Sequence, residues 1–322
     1  MDVGVLTVPL GESSRREAFE YLGGLGVDTV ELGVGGHPGE AHADRERLLA
    51  EPAAREELRD DLAAHDLSVS ALATHDNPLH PDEERAARAD RHLREAIELA
   101  GDLGVGTVTC FSGLPAGGPE DTVPNWITAP WPPEHAEALE YQWSVAEAYW
   151  TDLADHAAAH GVDVAIEMHP NMLVYEPHGL VELREVTNER IGANLDPSHL
   201  YWQGIDVVAA IRLLGEADAI HHVHAKDTQV VDEVAREKGV LDTTDYGAAS
   251  ERSWLFRTVG YGHDEGHWRD VVSALRLAGY DGALSIEHED ALTSSREGLE
   301  KAVAFLQRVT FETQPGETFW TE

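Results

Sequence analysis

The stretch AIHHVHAKD, residues 219–227, places His221, His222 and His224 within four positions and follows them with Lys226 and Asp227. Imidazoles so spaced can ligate a metal, move a proton or simply pack, and the direction each one faces decides which. In a β-strand successive side chains point to opposite faces, so Ile220, His222 and His224 share one face and His221, Val223 and Ala225 the other. His224 is the member nearest the C-terminal end. The same parity in VDVAIEMH (162–169) sets Val162, Val164 and Ile166 against Ala165, Glu167 and His169. In GALSIEH (282–288), Leu284 and Ile286 oppose Ala283, Ser285 and Glu287. In RIGANLDPSHL (190–200), Gly192, Asn194 and Asp196 oppose Ala193 and Leu195; Pro197 then ends the strand by removing a ladder donor, and His199 follows one turn on. Each run ends in a metal-binding type of side chain on a face otherwise lined mostly by small or polar residues.

The elements that must carry these residues recur along the chain as a short apolar run, a polar loop and an amphipathic helical pattern. The runs are 3–8, 28–34, 67–74, 105–111, 162–168, 190–196, 219–225 and 282–288, several of them preceded by a helix-ending glycine, as in LGV, HGV and AGYDG. Eight strands alternating with helices predict an α/β fold, a (β/α)8 barrel in one domain over 1–322. An open doubly wound sheet would carry a glycine-rich phosphate loop after its first strand, and VPLGESS is a poor match. Two connections after strands are long, at about 112–137 with Trp126 and Trp131 and at about 226–265, and a short C-terminal extension is expected from about residue 312. Loops after barrel strands surround the active site; an insertion that serves a subunit interface is the other reading of these two.

In such a barrel Glu167, Asp196, His224 and Glu287 converge at the mouth from strands five to eight. Three carboxylates and one imidazole make a hard, oxygen-rich site suited to one divalent ion. Mn²⁺ is the expected ion, with Mg²⁺, Co²⁺ and Zn²⁺ as substitutes. Without a cation the buried carboxylates would repel one another and some would stay protonated. The single cysteine, Cys110, excludes an internal disulfide and a cysteine-rich zinc site.

IEMHP, NLDPSHL, HVHAKD and GYDGALSIEHED, in that order, resemble the sugar phosphate isomerase/epimerase family, the xylose isomerase-like barrel superfamily that includes ketose 3-epimerases and endonuclease IV. The resemblance runs over most of the chain from strand three onward. It implies a xylose isomerase-like TIM barrel holding a single divalent metal on the positions matching Glu167, Asp196, His224 and Glu287, with His199 on substrate. The reaction it implies is proton transfer beside a carbonyl of a sugar or keto-sugar, through a metal-stabilised enediolate, with Glu167 and Glu287 removing and returning the proton. Same-face return between carbons isomerises; opposite-face return epimerises. Relatives are often dimers or tetramers, so the resemblance also suggests a homo-oligomer.

Further substrate-binding candidates are His75 at the end of strand three, His169, Lys226, Arg257 as a clamp for a hydroxyl, carboxylate or phosphate, and Trp126 as a cover for a sugar ring. Each has a plainer role open to it: a hydrogen bond at the rim for His75, one behind the ligands for His169, pairing with Asp227 for Lys226, loop organisation for Arg257, packing for Trp126. Of the remaining histidines in the cluster, His221 is expected against the helix layer and His222 one layer below His224.

Charge narrows the function further. Asp and Glu number 60 against 23 Lys and Arg, a formal net charge of -37, with only Lys226, Lys238 and Lys301 as lysines. The carboxylates are spread over helical patterns rather than gathered in a tail. Such a surface resembles that of proteins from salt-loving cytoplasms and disfavours nucleic acid. An endonuclease IV-like activity would also need a histidine ligand where strand four ends TCFSG. A metal-dependent lyase or dehydratase acting on a keto-sugar, keto-inositol or 3-keto-glycoside would use the same base beside a carbonyl and stands as the second reading. A non-catalytic sugar-binding barrel fits less well, because it would have no need of a complete acid/base and metal set. MDVGVLTVPL has no basic segment leading into a long apolar run, and no window has the length of a spanning helix, so the expectation is a cytoplasmic protein without membrane contact.

Overall fold

Val, Ile and Leu alternating with small or polar residues favour extended chain, and each predicted run forms a strand. The computed structural model describes residues 1–313 and Gly316; most of the expected C-terminal extension lies outside the described residues. The barrel strands are β1 (Asp2–Leu6), β2 (Thr29–Gly33), β3 (Ser68–Ala73), β4 (Thr107–Phe111), β5 (Asp163–Glu167), β6 (Ile191–Leu195), β7 (Ile220–Ala225) and, after two strands outside the barrel, β10 (Ala283–Ile286). They close in the order β1-β10-β7-β6-β5-β4-β3-β2, every pair parallel. This is the (β/α)8 barrel expected.

The helices between strands start and stop on local signals. Asp82, Asp206, Asp264 and Ser294 each cap a helix by accepting backbone N–H bonds, and Ser14 with Glu17 forms a reciprocal capping box. Gly104 and Gly161 end the helices Glu83–Leu103 and Pro133–His160 in left-handed conformation, φ 76° and 69°. Helix 83–103 turns Ala89, Leu93, Ala96, Ile97 and Ala100 inward, and burying a Leu or Ile of this kind contributes about 1.5–3 kcal/mol. A charge at Leu93 would break that face.

Between the strands and helices lies a continuous apolar layer that includes Val5, Val30, Leu72, Val108, Val164, Ile166, Val223 and Ile286. Inside the barrel the wall is small or polar: Gly4, Ala71, Thr109, Ala165, Gly192, Asn194 and Ser285. That leaves room for Glu31, His222 and His224, all buried. A Cβ on Gly4 would meet Thr29 Oγ1 at 2.6 Å.

The connection after β7 is not a simple loop. β8 (Asp227–Val230) and β9 (Trp254–Arg257) pair antiparallel, with a short helix, Asp232–Lys238, between them. Asp242 ties this excursion together, accepting from Ser253 N, Ser253 Oγ, Thr244 N and Lys238 Nζ at 2.7–3.0 Å. Among the described residues no helix is long and apolar enough to cross a membrane.

Candidate functional site

β5, β6, β7 and β10 end side by side, and each delivers one residue to the mouth. Glu167 is the last residue of β5, Asp196 follows β6 as the cap of helix Pro197–Gln203, His224 is next to last in β7, and Glu287 follows β10. Ligand-type atoms of all four lie within 4.8 Å of one another. Asp196 uses Oδ1 to accept from Ser198 N at 2.8 Å, while its buried Oδ2 makes no hydrogen bond. His224 Nδ1 is likewise buried without a hydrogen bond, 3.2 Å from Glu287 Oε2 and 3.4 Å from Glu167 Oε2. Buried polar atoms are seldom left unpaired; two of them aimed into one ring of carboxylates fit a divalent cation.

The electrostatics agree. Burial works against the His224 imidazolium, but Glu31, Glu167 and Glu287 outweigh it and raise its pKa well above the usual value. Burial also opposes the ionised Glu287, yet Lys226 and His224 hold it at about 2. Glu167 is pulled well below the usual carboxylate range, against burial, by the imidazoles of His199, His224 and His75 that face it. Asp196 is shifted up, chiefly by burial. A proton on His224 and the ammonium of Lys226 are thus the positive charges among the carboxylates, and a divalent ion would take over the first role.

His199 Nε2 lies 3.1 Å from Glu167 Oε1 and 3.3 Å from Asp196 Oδ2. His75 Nε2 approaches Glu167 Oε2 at 3.1 Å from the opposite side of the mouth. Lys226, 3 % exposed at its side chain, reaches Glu287 at 3.0 Å and Glu289 at 2.6 Å, with its Nζ 4.3 Å from the centre of the Phe256 ring. Burial alone would lower the Lys226 pKa; Glu287, Glu289 and Asp196 raise it well above the usual value. His169 packs against Phe111 and His199 and donates from Nδ1 to Pro170 O at 2.6 Å, and burial lowers it to about 3, so it is neutral. His75, His169 and Lys226, with Glu167 and Glu287, line a cavity of about 590 Å³. Its remaining wall is largely apolar, with Leu6, Val8, Pro9, Phe111, Met172 and Phe256.

Of the substrate-binding candidates, His199, Arg257 and Trp126 fall outside this cavity lining, His199 because it is buried behind Glu167. Arg257 lies on β9 and donates to Asp290 Oδ2 at 3.2 Å and Gln229 Oε1 at 2.5 Å. Its donors organise the excursion instead of clamping a ligand. Trp126 stands edge-on to Tyr175, 5.4 Å between ring centres, and packs against the core. In β7, His221 is the extra residue at a register shift between β6 and β7. Its ring stands where Gly192 has no Cβ, an added Cβ meeting it at 2.3 Å, and its Nε2 lies 3.2 Å from Glu189 O. His222 lies one layer below His224, as expected, with Nδ1 3.1 Å from Asn194 Oδ1.

Glu31 was not among the candidates. It is the single acid within β2, fully buried, and meets His224 Nε2 at 3.0 Å. The signal was present: Thr29, Glu31 and Gly33 share one parity face, and an acid mid-strand on the lumen side of a barrel needs a partner.

Residues 19–309 match the family of xylose isomerase-like TIM barrels. The chain belongs to that family. It is 38 % identical over 313 residues to the uncharacterized protein YfiH of Bacillus subtilis (strain 168), covering 96 % of this chain and 99 % of that one. Among solved barrels it is similar to the IOLI protein with a binding zinc atom, with TM-score 0.67, 19 % identity, and 97 % and 100 % of the two chains covered. It is also similar to D-psicose 3-epimerase with D-tagatose from Clostridium cellulolyticum H10, with TM-score 0.61, 16 % identity, and 96 % and 98 % covered. At those identities the likeness to the solved structures is one of fold.

Proposed function

We propose that this xylose isomerase-like barrel is a divalent-metal-dependent sugar isomerase or epimerase acting by proton transfer beside a carbonyl. The observation that carries the reading is the convergence of Glu167, Asp196, His224 and Glu287 within 4.8 Å, with two buried atoms lacking hydrogen bonds, at the mouth of a cavity sized for a small molecule. The zinc atom of the IOLI protein and the ketose of the 3-epimerase lend it support. Those four residues would hold the ion, and Mn²⁺ is the expected occupant. When bound, the ion supplies Lewis acidity to the substrate's carbonyl and hydroxyl oxygens.

This chain's own groups supply the rest. Glu167 and Glu287 enter from different strands, so one carboxylate takes the proton from the carbon beside the carbonyl and the other returns it. His199 and His75, each within 3.1 Å of Glu167, fix its orientation and present N–H groups to substrate oxygens. Lys226 holds Glu287 in place and faces the developing negative charge. Phe111, Phe256, Leu6 and Met172 keep water from the reacting carbon.

The test is solvent-hydrogen exchange. Incubated with Mn²⁺ and a panel of free ketoses in deuterated water, the wild type incorporates deuterium beside the carbonyl of at least one ketose. Glu287→Gln and Glu167→Gln slow this by about 10²–10⁴-fold, the usual worth of a positioned acid or base. Ion-loaded enzyme that exchanges no ketose hydrogen, or that releases water from a keto-sugar instead, would contradict the proposal.

A further inference from the structure

Glu31 lies beneath the quartet, in the barrel interior, and its surroundings are built to hold an anion there. Oε1 accepts from Thr109 Oγ1 at 2.6 Å and Oε2 from Ser285 Oγ at 2.7 Å. Both oxygens also face His224 Nε2, at 3.2 and 3.0 Å. A buried carboxylate is costly unless its oxygens are satisfied, and three donors from β4, β7 and β10 satisfy this one. Its register partners on the two flanking strands, Ala71 on β3 and Leu6 on β1, offer nothing polar.

A neutral imidazole carries one N–H and one lone pair. Where an ion takes the place of the extra proton on His224, the Nε2 hydrogen stays with Glu31 and the lone pair falls on Nδ1. Nδ1 is the atom that points at Glu167 and Glu287 with no hydrogen bond of its own. His222 does not compete for the carboxylate at short range: its Nε2 stays 3.9 Å from Oε2 and its Nδ1 faces Asn194.

We propose that Glu31 is a positioning residue that holds His224 in its Nε2–H tautomer and so presents Nδ1 as the metal-ligating atom. This rests on the reading that the quartet holds a divalent ion. Carboxylates that accept from the far nitrogen of a ligating histidine fix the ring and raise its basicity, and losing one weakens metal binding about 10–100-fold.

The experiment compares Mn²⁺ affinity, by chelator competition, for wild type, Glu31→Leu and Glu31→Gln, alongside the unfolding free energy of each metal-free protein. Glu31→Leu raises the dissociation constant about 10–100-fold, whereas Glu31→Gln, whose amide oxygen still accepts from Nε2–H, loses much less. A merely structural role would move the stability of the two variants without separating their metal affinities. A second readout needs no variant: in Zn²⁺-loaded, ¹⁵N-histidine-labelled wild type, long-range NH correlations place the His224 hydrogen on Nε2. Glu31→Leu binding as tightly as wild type, or a His224 hydrogen on Nδ1 in the loaded protein, overturns the proposal and leaves the metal reading standing. Wild type that binds no divalent ion overturns both. Should Glu31→Leu fail to fold, the Gln variant and the wild-type tautomer decide.

Discussion

Asp227 is the pin that fastens the excursion after β7 to the barrel, and replacing it by asparagine should loosen that excursion measurably. Its Oδ2 accepts from the backbone N–H groups of Gly260, Gly262 and His263, each at 3.0 Å, and from Trp268 Nε1 at 3.3 Å. Oδ1 accepts from Thr228 N at 2.9 Å and His263 Nδ1 at 2.8 Å. All six partners donate and the side chain is fully buried. The amide introduced by Asp227→Asn must turn its NH₂ toward one set, and the Oδ1 side is the less costly choice, because His263 can switch tautomer and accept. Thr228 N is then a buried orphan donor, costing about 1–3 kcal/mol. The four bonds at the other oxygen lose their charge assistance as well. The sum is about 3 kcal/mol or somewhat more, a large share of the ~5–15 kcal/mol that holds an ordinary domain together. Urea unfolding measures the loss in stability, and limited proteolysis within residues 231–253 measures opening of the excursion. Phe256 and Lys226 border this segment and line the cavity, so turnover should fall with it. An Asp227→Asn protein within about 0.5 kcal/mol of wild type and cleaved no faster would show that the carboxylate does not pin the segment.

Other expected outcomes follow from single contacts. Gly262→Ala drives a Cβ to 2.4 Å from Thr228 O and 2.5 Å from Asp227 Oδ1, so it should destabilise by about 1–3 kcal/mol in the same unfolding assay; no change would mean the segment shifts freely. Cys110 is buried, and burial with the nearby Glu167 pushes its thiol pKa far up. A disulfide reagent such as DTNB should therefore find no thiol in native protein and one after urea, and prompt native labelling would contradict its burial. Burial lowers the His42 pKa despite its contact with Ser13 O at 3.2 Å. The folded state thus disfavours the imidazolium, and the stability this site contributes is present above the ordinary value near 6.5 and lost as pH falls through and below it. Wild type should then lose more stability than His42→Gln on going from about pH 8 to about pH 6; equal losses would contradict the shift.

The barrel was legible because each strand announces itself by a short apolar run, several of them bounded by a glycine or proline. The barrel strands fall inside the predicted runs except at the first, which starts at Asp2, one residue before its run. The quartet was legible because parity and strand-end position are local properties of IEMH, NLDPSH, HVHAKD and IEHED. What escaped depends on contacts distant in sequence. Glu31 and His224 meet across 193 residues, so the parity of TVELG could place the acid on one face of its strand but could not name its partner. Arg257 and Asp290 are 33 residues apart, so the carboxylate that takes the guanidinium could not be read from RSWLFRTV. The antiparallel pairing of DTQV with WLFR, with 23 intervening residues, hid a two-stranded sheet inside what read as a loop. Trp126 is placed by packing against Tyr175, which no local pattern encodes.

The proposal that the four strand ends form one metal centre is tested most directly by anomalous diffraction from crystals soaked in Mn²⁺ or Zn²⁺. A single strong peak is expected at the barrel mouth, roughly 2.0–2.2 Å from oxygens of Glu167, Asp196 and Glu287 and from Nδ1 of His224, and it should vanish when Asp196→Asn is combined with Glu287→Gln. An empty mouth at saturating ion, or a peak elsewhere, would contradict it.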